Sequence, residues 1–476
     1  MSETEKIMSE GNYDLLIKDG LVVTEGDVIP ADVAISGETI VRIGQGLPAS
    51  RAEKVIDASG MHVFPGVIDP HVHLGIPMGW TASTDDFYSG TTAAICGGVT
   101  TVMDFTVQRP GQDLISSIEQ RLLKAKHDGV NCDFGLHANI TSPSADTLSQ
   151  IPQAINMGVT GFKTFLAYPD SMVDLSTLAE IAALTRDAGG LVMVHAETQA
   201  IIDQATEELK RQGKTDSRSF FESRPVSAEV DAIHALARIS RSLAVPFYIV
   251  HLSSAAGLNA AVEENRQGAR LLVETCPHYL FLNVHPTMPP DPYLFVASPP
   301  LRSTRDSMSL TRALGKGQIT TMGTDHCPFT RAQKLRFSDD FSKIPGGLPG
   351  VETLLPLAYH LAMTGQVSLP KLSALLSTNA ARLFGMHKKG RIKEGFDADI
   401  VLLNPESSTT ISSKTMHSRT DYSPFEGLRL HGAIEKVFLR GQLGAEKRPS
   451  GVEPALKGQG RFVSGELPIE IMEAPV

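Results

Sequence analysis

Val63-Phe64-Pro65-Gly66-Val67-Ile68-Asp69-Pro70-His71-Val72-His73 is an apolar run that closes on two histidines. In an extended strand, residues two apart point the same way, so the His71 and His73 imidazoles reach one point in space. Imidazole is the commonest protein ligand for a borderline metal, and two converging at a strand end make half of a metal site. Alone the pair says little, because His-X-His occurs on many surfaces. Its weight comes from what the rest of the chain supplies.

Four further residues of ligand type each close an apolar run of their own. Lys163 ends Val159-Thr160-Gly161-Phe162-Lys163, and His195 follows Leu191-Val192-Met193-Val194. His251 follows Pro246-Phe247-Tyr248-Ile249-Val250, and Asp325 follows Ile319-Thr320-Thr321-Met322-Gly323-Thr324. A polar group at the end of a buried strand is costly unless it does chemistry or binds something. Singly, Lys163, His195 and His251 each read as a hydrogen-bonded strand-end residue. Together, that reading fails.

Short β-rich runs alternate with helical stretches from about Val63 onward. Eight strands are expected, beginning near Val63, Thr100, Cys132, Val159, Leu191, Pro246, Arg270 and Ile319. Ser253-Ser254 suit the cap of a helix that Gly268 terminates, and Asp85-Asp86 suit the start of one stopping at Gly97-Gly98. The alternation predicts an α/β fold, a (β/α)8 TIM-like barrel over residues 63–385. The ligand candidates then fall on strands one, four, five, six and eight, at the catalytic end of the barrel. Residues 1–62 and 386–443 carry strand and turn signals and are expected to build one small β-sandwich from both chain ends. Residues 444–476, rich in Pro, Gly and Glu, read as an extended tail able to reach a neighbouring subunit.

Bulk properties bound the function. The 476 residues are 42% hydrophobic and 20% charged, with a net charge of −10 and no long basic run. This argues against nucleic acid or an anionic membrane as the main partner. Met1-Ser2-Glu3-Thr4-Glu5-Lys6 lacks the apolar core of a signal peptide, and four cysteines without a CxxC pair suit a reducing cytoplasm. Cys327, beside Asp325 and His326, reads as a packed free thiol.

Two divalent ions about 3.5–4 Å apart polarise a carbonyl and generate a hydroxide near neutral pH. His71 and His73 with Asp325 suit one ion, His195 and His251 the other, and an anion must bridge them. An ammonium at Lys163 would repel both. Burial frees the amine, which on reacting with carbon dioxide becomes a carbamate with one oxygen for each metal. Asp325 suits a second task, taking the proton from the bridging water and delivering it to a leaving nitrogen. Metal-assisted hydrolysis of an amide-like bond follows.

Several motifs resemble those of the cyclic amidohydrolases of the amidohydrolase superfamily, most closely the dihydropyrimidinase and hydantoinase family. They are Pro65–Leu74, Thr84-Asp85-Asp86-Phe87, Gly161–Tyr168, Val194-His195-Ala196-Glu197, Val250-His251-Leu252-Ser253, Glu274–Leu280, Ser298-Pro299-Pro300-Leu301-Arg302 and Thr324–Phe329. They span the whole barrel in the family's order. The resemblance implies a binuclear site, usually zinc, bridged by a carbamylated lysine. It implies opening of a cyclic amide or ureide, dihydropyrimidines or 5-substituted hydantoins, to N-carbamoyl amino acids through a metal-bridging hydroxide. It also implies an oxyanion- and ring-binding tyrosine at Tyr168, a substrate-binding serine at Ser298, a backbone contact at Gly346, and a homo-oligomer, by analogy a tetramer.

The chain departs from the pattern at Ile344-Pro345-Gly346-Gly347, where many hydantoinases have Asn-Gly after the proline. The continuation Leu74-Gly75-Ile76-Pro77-Met78 lacks the arginine with which dihydroorotases grip a carboxylate. Allantoinase is the alternative, since its substrate is a substituted hydantoin. Met78 and Trp80 are expected to wall the pocket with apolar surface, which favours uncharged 5-substituents over a ureido group. A non-catalytic, assembly-type relative is the remaining alternative, and the complete ligand set argues against it.

Overall fold

The computed structural model describes residues 12–284, 291–455 and 457–466; Met1–Lys6 and the end of the tail lie outside the described residues. Its strands are β1 (Tyr13–Val23), β2 (Val28–Ser36), β3 (Thr39–Gly44), β4 (Ala52–Asp57) and β5 (His62–Pro65), then β6 (Val67–Val72). A hairpin of β7 (Pro77–Met78) and β8 (Thr81–Ala82) precedes β9 (Val99–Phe105), β10 (Asp133–Asn139), β11 (Gly161–Phe165) and β12 (Leu191–His195). β13 (Phe247–Ile249), β14 (Leu271–Thr275) and β15 (Thr321–Met322) follow. The last four are β16 (Ile400–Thr410), β17 (Arg429–Leu439), β18 (Gln442–Arg448) and β19 (Gly451–Pro454).

β6 and β9 to β15 form one parallel eight-stranded sheet with the strands in chain order. It is the expected barrel. β6 and β9 are buried along their whole length, as parallel strands covered on both faces must be. The seam between β15 and β6 is closed by irregular backbone: His73 N–H donates to His326 O at 2.8 Å. Beneath it, Thr324 N–H and Oγ1 both donate to the Asp69 carboxylate, at 3.0 and 2.5 Å. Ile68, Met103, Met193, Tyr248 and Phe384 pack inside the barrel, and a larger core lies between its strands and the surrounding helices.

Helix starts follow the sequence signals. Asp86 caps helix Phe87–Cys96 by accepting Ser89 N–H, and Ser254 caps helix Ala255–Arg266 by accepting Gly257 N–H. The opening run, by contrast, divides at Gly66. Residues 62–65 join the outer sheet as β5, and only Val67 onward enters the barrel. A side chain at 66 would collide with Thr100 and Asp399, so the two sheets part where the chain has none.

Both chain ends build one nine-stranded sheet in the order β19-β18-β17-β16-β5-β1-β2-β3, with β4 also on β1. β5 therefore lies between the N-terminal β1 and the C-terminal β16. A buried charge cluster ties this sheet to the barrel: Lys389 Nζ lies 2.6 Å from Asp133, 2.8 Å from Asp399 and 2.9 Å from Asp397. Beyond β19, residues 461–465 run along the barrel of their own chain, with Val463 N–H donating to Phe134 O at 2.8 Å. No helix among the described residues is long and apolar enough to cross a membrane.

Candidate active site

All six expected ligands line one cleft of about 350 Å³ at the C-terminal end of the barrel strands. His71 lies within β6 and His73 just beyond it; Lys163 is in β11, His195 closes β12, and His251 and Asp325 follow β13 and β15. Side chains at this end of a parallel barrel converge on its axis, so residues hundreds of positions apart meet.

The ligand atoms of His71, His73 and Asp325 lie within 4.8 Å of one another. His71 Nε2 and His73 Nε2 are 3.2 and 2.9 Å from the same oxygen, Asp325 Oδ1. His71 Nδ1 meets Glu274 Oε1 at 2.8 Å, which turns the ring so that Nε2 faces the cleft. The second pair is arranged in the same way. His195 Nε2 meets Glu197 Oε2 at 2.8 Å, which leaves Nδ1 facing His251 Nε2 at 2.9 Å. Arg224 in turn holds Glu197, its Nη2 donating to Oε2 at 2.6 Å.

The electrostatics suit metal ligation. Burial pushes His195 down to about 4 and His251 and His73 below the ordinary histidine range, so these rings are neutral near pH 7. Burial resists ionisation of Asp325, but the neighbouring imidazoles, His71 foremost, outweigh it and hold the carboxyl well below the usual range. Lys163 is buried, which lowers it to about 8 against the opposing pull of Asp325 and Glu274. No carboxylate among the described residues forms an ion pair with Lys163, so the pairing expected of an ordinary buried lysine is absent. His251 Nδ1 is buried without a hydrogen-bond partner. Neutral nitrogens facing each other, an ionised carboxylate and an orphaned ring nitrogen are what a cation-binding donor set requires, and the residues fit divalent metal.

Tyr168 lies over His195 with ring centroids 4.9 Å apart, and the Arg224 guanidinium is 5.1 Å from the Tyr168 ring. Desolvation pushes the phenol upward, while Arg224 and a hydrogen bond with Ser298 oppose it. Tyr168, His251 and Asp325 all sit at positive φ (70, 41 and 50°), a conformation non-glycine residues avoid. Ser298 and Gly346 line the same cleft, close enough that a Cβ on Gly346 would lie 3.3 Å from Ser298 Oγ. Met78, Phe220, Phe341 and Ile344 supply its apolar wall. Trp80 does not line the cleft; it packs edge-on against Phe337 and donates from Nε1 to Lys343 O at 3.4 Å.

Three residues at the site escaped sequence reasoning as contributors: Glu197, Glu274 and Arg224. Two had a signal. Glu197 follows His195 at a spacing of two, and Glu274 lies one residue before the end of β14, a polar group near a buried strand end like the candidate ligands. Arg224 had none.

The chain matches the amidohydrolase family over residues 62–444. It is similar to the D-hydantoinase of Streptomyces coelicolor, 37% identical over 438 residues that make up 90% of this chain and 93% of that protein. Similarity to the D-hydantoinase of Geobacillus stearothermophilus is 38% over 434 residues, 90% of this chain and 92% of the other. A solved dihydropyrimidinase from Brevibacillus agri superimposes with a TM-score of 0.90 at 37% identity, covering 95% of this chain and 99% of that one. The chain belongs to the amidohydrolase family. Within that family it is a cyclic amidohydrolase of the hydantoinase and dihydropyrimidinase group. Membership implies a binuclear metal centre, and these relatives do not favour the allantoinase alternative.

Proposed function

We propose that the barrel, which begins at Val67 rather than at residue 63, opens 5-substituted hydantoins and dihydropyrimidines to N-carbamoyl amino acids, and that the six converging side chains hold two divalent ions, zinc in this reading. The observation that carries it is the meeting of two histidine pairs, a buried unpaired lysine and Asp325 in one cleft. His71, His73 and Asp325 hold one ion and His195 and His251 the other. The unprotonated fraction of Lys163 would add to carbon dioxide with loss of one proton, and the resulting carbamate would supply anionic oxygen ligands for the ions. When bound, the ions polarise the ring carbonyl and make water acidic enough to ionise near pH 7.

The protein's own groups do the rest. Ser298 and the Gly346 backbone hold the ring amide, and the apolar wall takes the 5-substituent. The Tyr168 phenol donates to the carbonyl oxygen as charge develops on it, which is most effective from a preorganised position. Asp325 accepts a proton from the incoming water and delivers it to the ring nitrogen as the C–N bond breaks. In this reading the enzyme is a cytoplasmic homotetramer; light scattering at four times the 51.2 kDa chain mass checks the assembly.

A parallel assay of dihydrouracil, 5-phenylhydantoin, allantoin and dihydroorotate with zinc-loaded protein tests the function. Turnover of the first two, with an N-carbamoyl amino acid as product, is expected. A dominant allantoin rate overturns it.

A further inference from the structure

Lys334 lies in the short helix Arg331–Leu335 of the loop after the eighth barrel strand, and it is fully buried. A buried ammonium is costly unless it is compensated. Among the described residues no carboxylate forms an ion pair with it. Its nitrogen instead donates to two backbone carbonyls, Val296 O at 2.7 Å and Pro345 O at 3.2 Å. These acceptors belong to two separate segments. Val296 stands two residues before Ser298, and Pro345 stands immediately before Gly346.

The junction is tight. Val296 O also accepts the Gly347 N–H at 3.0 Å, so the two segments are bonded to each other as well as to Lys334. Gly347 has φ +148°, and a Cβ there would fall 2.4 Å from Cys327 O, so only glycine fits. Val296, Phe341 and Ile344 share a small apolar cluster around the junction. Burial lowers Lys334 to about 7, and both of its states serve the carbonyls, since an amine keeps two N–H groups and an ammonium three. Lys334 itself does not line the cleft.

We propose that Lys334 is a positioning residue that clamps the Ser298 segment against the Gly346 segment and so sets the width of the slot that grips the substrate ring. This rests on the reading in which Ser298 and Gly346 hold the ring amide. Displacements well under 1 Å matter in such a slot, because a 1 Å misplacement of a reacting group costs about a hundredfold in rate. A methionine would fill the space of the lysine stem, take the lysine's bond from the buried Pro345 carbonyl and leave Val296 O with the Gly347 N–H alone.

The test uses metal-loaded protein, steady-state kinetics on 5-phenylhydantoin and dihydrouracil, and backbone hydrogen exchange over residues 296–302 and 341–347. Lys334→Met is expected to raise KM at least fivefold on both substrates, with a smaller change in kcat, unaltered metal content, and faster exchange in both segments. A smaller KM rise, or unchanged exchange in both segments, overturns the proposal. Lys334→Gln keeps an amide donor but is one bond shorter, so it is expected to fall between wild type and Met. Should the Met variant not fold, Gln decides alone: a KM rise of at least threefold supports the clamp and a smaller one overturns it. Wild-type protein that opens neither ring sinks the functional reading. A competent wild type with an unresponsive Lys334→Met sinks only the clamp.

Discussion

Asp325 combines three conditions that seldom meet in one side chain: a left-handed backbone, contact with two histidines, and an ionised carboxyl in a buried place. Under the proposed mechanism, replacing it with Asn removes a metal ligand and the proton carrier together. Asp325→Asn is expected to lower kcat by at least about 10²–10⁴-fold, read on hydantoin turnover at full metal loading; near-normal turnover would remove Asp325 from its role. Lys163→Ala is expected to leave fewer than two metals per chain by elemental analysis, and full retention of both would count against the bridge. Glu197 acts one step further out, fixing the tautomer of His195. Glu197→Gln is expected to weaken metal retention about 10–100-fold in chelator competition. At this scale the six candidate ligands, which line one cleft, stood out in the sequence because they close five apolar runs, His71 and His73 sharing the first. Arg224 and Lys334 did not, because their partners are side-by-side contacts and backbone carbonyls that no spacing in the chain encodes.

Among the elements, caps were the most readable. Asp86 precedes its helix and accepts Ser89 N–H at 2.9 Å. Asp86→Ala is expected to cost about 1 kcal/mol, seen as a lower thermal midpoint with unchanged metal content. The break at Gly66 was harder to see. Val63 to Ile68 is apolar throughout, and a run buried in one sheet looks the same as a run shared by two. Only the ladder partners, β16 for residues 62–65 and β9 for Val67 onward, distinguish the cases. Trp80 misled for a related reason. Its composition marks an apolar contact, but whether that contact is a ligand or Phe337 depends on how hairpin β7–β8 folds back.

The molecule as a whole is joined by Lys389 and its three aspartates. Burial opposes the charge on Lys389, yet Asp399, Asp133 and Asp397 raise its pKa above the usual lysine value. A folded-state value above the unfolded one stabilises the fold fully below the unfolded pKa, and the contribution is lost as pH rises through the folded value. Lys389→Met, which leaves buried carboxylates uncompensated, is expected to cost about 3–5 kcal/mol near neutrality. The gap in thermal midpoint between wild type and variant should narrow above the ordinary lysine range, and also in acid, where protonation relieves the buried carboxylates that the variant leaves uncompensated; a gap absent near neutral pH would contradict this assignment. The placement of β5 between β1 and β16 also orders events during synthesis. A nascent chain leaving the ribosome has its first five strands some 330 residues before their C-terminal neighbour emerges. Until then β5 presents an open hydrogen-bonding edge, a template for pairing with another chain. Premature termination before residue 400 should therefore yield insoluble product, so each unfinished copy depends on a chaperone or faces degradation.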